Sequence, residues 1–154
     1  MDRLVTYIVR FIAILAGFVV ACLAASFFLS FLFASTVVAI IPELSEAARP
    51  TLFVTVPFLA LIIGNLSFGA FLLVAVAAEL LGWRSWLAHA LAGAPVALYA
   101  GWRMAEMLDA PGAANDPGLM LLTVAAGLVG GIAYWLIAGR NAGMWRDDAG
   151  RAPS

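Results

Sequence analysis

Four stretches of this chain carry no formal charge, and they set its architecture. They run from Phe11 to Pro42, from Thr51 to Ala78, from Ser85 to Trp102 (interrupted only by His89), and from Pro117 to Gly139. About 20 largely apolar residues cross the ~30 Å hydrocarbon layer of a bilayer as a helix, and each stretch is near that length or longer. Only helices and closed barrels satisfy every backbone group in lipid, and these runs lack the alternation of barrel strands. The pattern predicts an all-α, polytopic membrane protein. Its four transmembrane helices form an up-down bundle within one domain, residues 1–139.

Punctuation residues place the helix ends. The first helix is expected over about residues 8–41, long enough that it must tilt or project from the membrane. Pro42 and Pro50 bracket a short polar link. The second helix is expected over 50–81, where Gly82 ends it, and Gly82-Trp83-Arg84-Ser85 is a tight turn into a third helix over 86–108. The turn-rich segment Asp109 to Asp116 leads to a fourth over 117–138, and a polar cytoplasmic tail follows over 140–154.

Composition strengthens the membrane reading. The chain is 65% hydrophobic and 11% charged, against roughly 45–50% apolar and about 25% charged for soluble domains. A fold of this size cannot bury so much apolar surface in water. All eight basic residues are arginine, which with the abundant Ala and Gly fits a bacterial chain. Arg3, Arg10, Arg84, Arg140, Arg146 and Arg151 fall on the side of the termini, and Arg49 and Arg103 on the other. That bias puts both ends in the cytoplasm, in an inner (plasma) membrane. Trp83, Trp86, Trp102, Trp135 and Trp145 lie near the expected helix ends, where amphipathic rings prefer the interface. A net charge of −1 and the lack of a basic stripe give no reason to expect nucleic acid.

Three groups of residues are candidates for function. Glu79, Arg84 and His89 flank the second turn and are expected to approach one another at the cytoplasmic interface. A carboxylate beside an imidazole there can bind a cation, relay a proton or titrate. The simpler reading is a pinned hairpin, with Glu79 neutralising Arg84 and His89 bonded to a carbonyl. Arg103 and Glu106, three residues apart, read as an intrahelical ion pair or else as a docking contact. Asn65 is an amide near mid-membrane, with Pro57 two turns before it and a comparable break expected at Gly93-Ala94-Pro95. Such breaks can line a transport site. More commonly they are kinks, and the amide is glue to a neighbouring helix.

Small residues recur every four positions in Gly17-Ala21-Ala25, Ala60-Gly64, Ala97-Gly101 and Gly127-Gly131, which lets helix backbones approach closely. Ser26, Ser30, Ser35 and Thr36 are expected to satisfy backbone carbonyls. Val19-Val20-Ala21-Cys22 resembles a lipoprotein lipobox, but the chain stays apolar after Cys22, so a packing role is preferred over lipidation.

The inventory argues against several four-helix families. One cysteine cannot serve a disulfide-forming oxidoreductase, and one histidine cannot serve a diheme anchor. The aspartates after Asp2 lie outside the helices, unlike those of lipoprotein signal peptidases. The first helix lacks the central glutamate of small multidrug transporters. No cofactor is expected. The expected role is a non-enzymatic accessory, assembly or scaffolding subunit whose partners are lipid and other membrane helices or further copies of itself. A small oligomeric transporter or channel is the alternative, and a membrane-embedded enzyme comes third.

Overall fold

A computed structural model describes residues 2–142, and every regular element among them is helical. The expected tail, with Trp145, Arg146 and Arg151, lies almost wholly outside the described residues. Helix α1 spans Asp2–Ile40, and a 3₁₀ turn at Pro42–Leu44 leads into α2, Ser45–Leu81. Helix α3 spans Trp86–Met107, the single turn α4 spans Pro111–Ala114, and α5 spans Pro117–Ile137. A last 3₁₀ turn covers Gly139–Asn141.

The boundaries correct the sequence expectation in three places. Helix α1 begins six residues early, at Asp2 rather than residue 8. Helix α2 begins at Ser45 rather than Pro50 and runs on through both Pro50 and Pro57. Each proline removes one intrahelical hydrogen bond, Pro50 to the Glu46 carbonyl and Pro57 to that of Phe53, and the rest of the helix carries on through both. Helix α3 likewise runs unbroken through Gly93-Ala94-Pro95, where a break was expected.

Helices α2 and α3 end with the same hydrogen bond, made by different residues. Gly82 takes φ +64°, and the Trp83 N–H reaches back to the Ala78 carbonyl at 2.9 Å. Asp109 takes φ +50°, and the Ala110 N–H reaches the Ala105 carbonyl at 2.9 Å. Both are six-to-one closures that satisfy an otherwise orphaned carbonyl. Helix α5 starts with Pro117 behind Asp116, whose side chain accepts from the Leu119 N–H at 2.8 Å. Asp116→Ala should therefore cost about 1 kcal/mol, read as an earlier unfolding midpoint in detergent titration, with helix content unchanged in the folded state.

The four long helices pack as neighbours in the order α1, α2, α3, α5, with α5 returning to lie against α1. The α3–α5 contact is the most extensive and the α2–α3 contact the least. Glycine explains the first of these. A Cβ built on Gly93 or Gly131 would fall inside the backbone of the facing helix, and one on Gly127 would lie 2.7 Å from the Ala97 Cβ. On the other side of α5, Gly130 faces Ala21 and Ala25, and Gly17 sits 3.0 Å (measured from its would-be Cβ) from the Ala138 Cβ. The small-residue ladders are thus used inside the chain. Ser26 donates to the Leu23 carbonyl at 3.0 Å, and Ser35 and Thr36 to that of Leu32 at 2.8 and 2.9 Å. The buried Ser30 hydroxyl departs from expectation, with no partner among the described residues.

Helices α1, α2 and α5 are each long and apolar enough to cross a membrane, over Leu4–Ile40, Pro50–Leu81 and Pro117–Ile137. Helix α3, at 22 residues, has the length but is less apolar. His89, Arg103 and Glu106 and a high share of alanine and glycine lower it, in the helix most closely packed on α5.

Candidate functional site

The start of α1, the end of α2, the α2–α3 link and the end of α5 meet at one end of the molecule, and polar side chains tie them together. Arg10 is the centre. Its Nε donates to Glu79 Oε1 at 2.8 Å, a second guanidinium nitrogen also contacts that oxygen, and Nη1 donates to the Ala138 carbonyl at 2.9 Å. One planar cation therefore joins α1, α2 and the C-terminal end of α5, a use of several fixed donors that lysine could not reproduce. The side chains of Arg10 and Glu79 are 17% and 16% exposed, so most of each charge is out of solvent.

The link makes its own connections. Arg84 donates from Nε to the Ala142 carbonyl at 3.1 Å, and its backbone carbonyl accepts from Trp135 Nε1 at 2.8 Å. His89, one turn into α3, is 3% exposed. Its Nδ1 lies 2.9 Å from the Ser85 carbonyl, which can only accept, so Nδ1 carries the proton. Nε2 has no hydrogen-bond partner among the described residues and faces Gly139, whose would-be Cβ lies 2.8 Å away.

The expected trio is thus drawn to one end of the molecule, but the partners found there differ from those expected. Glu79 is held by Arg10, which sequence reasoning did not include, and His89 bonds within its own helix rather than to a carboxylate. Tyr134 was also missed. Its ring stands 5.6 Å from that of His89 and 5.4 Å from Phe71, and Phe71 stacks on Phe18 at 4.2 Å. Nothing in the spacing of these residues marked them; only the antiparallel return of α5 beside α1 brings Tyr134 to this level.

Above His89 lies a cavity of about 80 Å³, walled by Phe18, Cys22, Ser67, Phe71 and Tyr134 with the α3–α5 glycines. Its walls are almost wholly apolar, so water inside would find few of the partners it needs. Cys22 is buried in packing against α2, its Sγ 3.5 Å from the would-be Cβ of Gly64. Among the described residues, no three His, Cys, Asp or Glu side chains assemble as a metal site requires.

The other two candidates lie elsewhere. Arg103 Nη1 and Glu106 Oε2 are 3.2 Å apart on α3 and nearly half exposed, an intrahelical pair worth a few tenths of a kcal/mol. Among the described residues, Asn65 makes no bond to a neighbouring helix, the bond that was expected of internal glue. It is exposed on the outside of α2, on one wall of a groove of about 570 Å³ between α1 and α2. Comparison with protein-family models, curated proteins and solved structures found no match.

Proposed function

We propose that this chain is a multi-pass bacterial inner-membrane subunit that serves as a non-enzymatic accessory or scaffolding component for other membrane helices. In this reading α3 crosses the bilayer with α1, α2 and α5, and both ends face the cytoplasm. Its 22 residues reach about 33 Å. Packing on α5 shields His89 and the glycines of α3 from lipid, so it needs less apolarity than an exposed helix. The end of the molecule that carries Arg10 and Arg84 is the cytoplasmic one by the excess of arginine on that side.

The observation that carries the scaffolding role is where the polar groups go. Arg10, Glu79 and Arg84 hold helix ends together, and beside the backbone contact between α3 and α5 the interior offers a small cavity with almost wholly apolar walls. Among the described residues, the Glu79 carboxylate is bound to Arg10 and His89 Nε2 faces Gly139. Large apolar residues instead cover the outside of α1 and α2, among them Phe27, Phe31, Phe53 and Phe58. The alternative, a small oligomeric transporter or channel, would have Asn65 near the pathway and Glu79 with His89 at its inner mouth.

Affinity purification of the full chain from native membranes in mild detergent, followed by mass spectrometry, is expected to recover a larger membrane protein in near-stoichiometric amount. Reporter fusions at both ends should read as cytoplasmic. Recovery of the chain alone, together with solute flux in vesicles that Glu79→Gln abolishes, would reverse the assignment.

A further inference from the structure

The outward side of α2 carries an amide in the wrong solvent. Phe58, Leu61, Asn65, Leu72 and Val76 are all exposed and recur at intervals of three, four and seven, so they form one stripe along the helix. Asn65 is the only polar member named. It lies fifteen residues after Pro50 and sixteen before Leu81, the bounds of the apolar span, which puts it at the bilayer centre. No hydrogen bond to its side chain is found among the described residues. Hydrocarbon offers no partner, and an unpaired amide there carries a large transfer penalty.

Neighbouring features make room for a partner. The groove beside Asn65 is walled by Phe18, Val19 and Leu23 of α1 and by Leu61, Gly64 and Phe68 of α2. Past Pro57 it continues into a second apolar hollow of about 440 Å³. Gly69, one turn beyond Asn65, has open space where a Cβ would point, so a second backbone can approach there.

We infer that α2 packs against α2 of a second copy of this chain, with the two Asn65 amides hydrogen-bonded to each other across a two-fold axis along the membrane normal. The occupant follows from the chemistry of the stripe. A primary amide has both donors and an acceptor, so two of them related by a two-fold satisfy each other without a third residue. That axis places equal depths opposite each other, and the apolar remainder of the stripe asks for no complementary charge. The inference rests on α2 being a membrane span, as proposed above.

The test uses the full chain in phosphatidylcholine–phosphatidylglycerol vesicles, with oligomeric state counted by single-molecule photobleaching as protein density is varied. The wild type should shift from monomer to dimer. Asn65→Ala should weaken that association at least about tenfold and Asn65→Gln should retain it, in line with amide bonds between membrane helices. Because the side chain is exposed, neither change should alter helix content. In a Cys22→Ala background, Leu61→Cys should form oxidant-induced dimers, and Leu73→Cys, a quarter-turn round the helix, should not.

Labelling of Leu61→Cys by a water-soluble maleimide would overturn the spanning assignment itself. An unlabelled Leu61→Cys that forms no dimer would overturn only the pairing of copies. So would an Asn65→Ala chain that dimerises like the wild type, or cross-linking in native membranes solely to a different protein.

Discussion

Gly127→Ala is expected to force α3 and α5 apart and to lower stability by about 3 kcal/mol or more, the upper end of what overpacking costs. The reason is what the new methyl group would meet. It would lie within 3 Å of the Gly93 carbonyl carbon and of the Ala97 Cβ, and neither is the far end of a flexible side chain that can swing aside. Relief requires moving a whole helix along the most extensive contact in the molecule. Gly130→Ala provides the contrast three residues on. There the methyl would sit 3.3 Å from the Ala21 carbonyl oxygen, a distance that a shift of a few tenths of an ångström accommodates. Detergent titration of both variants, followed by tryptophan fluorescence, measures the difference. Equal midpoints would mean that α3 and α5 are not in backbone contact.

The second large effect belongs to Arg10. Arg10→Ala should cost about 2–4 kcal/mol, somewhat below the range for breaking a fully buried pair because a sixth of each side chain still meets solvent. The loss has two parts. Glu79 keeps a mostly buried carboxylate without that counter-charge, and the Ala138 carbonyl loses its donor. Glu79→Gln should cost less, about 1–2 kcal/mol, since an amide oxygen still accepts from the guanidinium. Replacing both residues, as Arg10→Met with Glu79→Leu, should recover part of the loss, because no carboxylate is then left facing the missing guanidinium. A double variant as unstable as the sum of its parts would show that Arg10 and Glu79 do not act on each other.

How much of this was legible beforehand depended on the range of the interaction. The four uncharged stretches became four long helices because lipid-compatible composition and helix-ending residues are local properties. Gly82 ended α2 where its freedom to take positive φ suggested. Pro50 misled, because a proline marks the loss of one helical hydrogen bond, to the Glu46 carbonyl, without saying whether the rest of the helix carries on across it. The Arg10–Glu79 pair joins residues 69 apart, and chain proximity pointed instead to Arg84 and His89. The outward position of Asn65 was hidden for another reason. Helix α2 is apolar all round, so its hydrophobic pattern does not say which face turns inward. Gly127 and Gly131 were recognised as a close-packing pair, but that they meet Gly93 and the His89 carbonyl depends on how α3 and α5 are registered.

The position of α5 also bears on how the chain is made. Helix α1 is made before α2 and α5, the helices it packs against, so its Gly17-Ala21-Ala25 edge stays uncovered by α5 until more than a hundred further residues have been translated. Arg10 meets Ala138 across a separation of 128 residues, so that bond must wait just as long. During that interval the early helices must be held apart from wrong neighbours, by the insertion machinery or by lipid alone. Faulty biogenesis should therefore leave a two- or three-helix species in which Arg10 lacks its Ala138 contact.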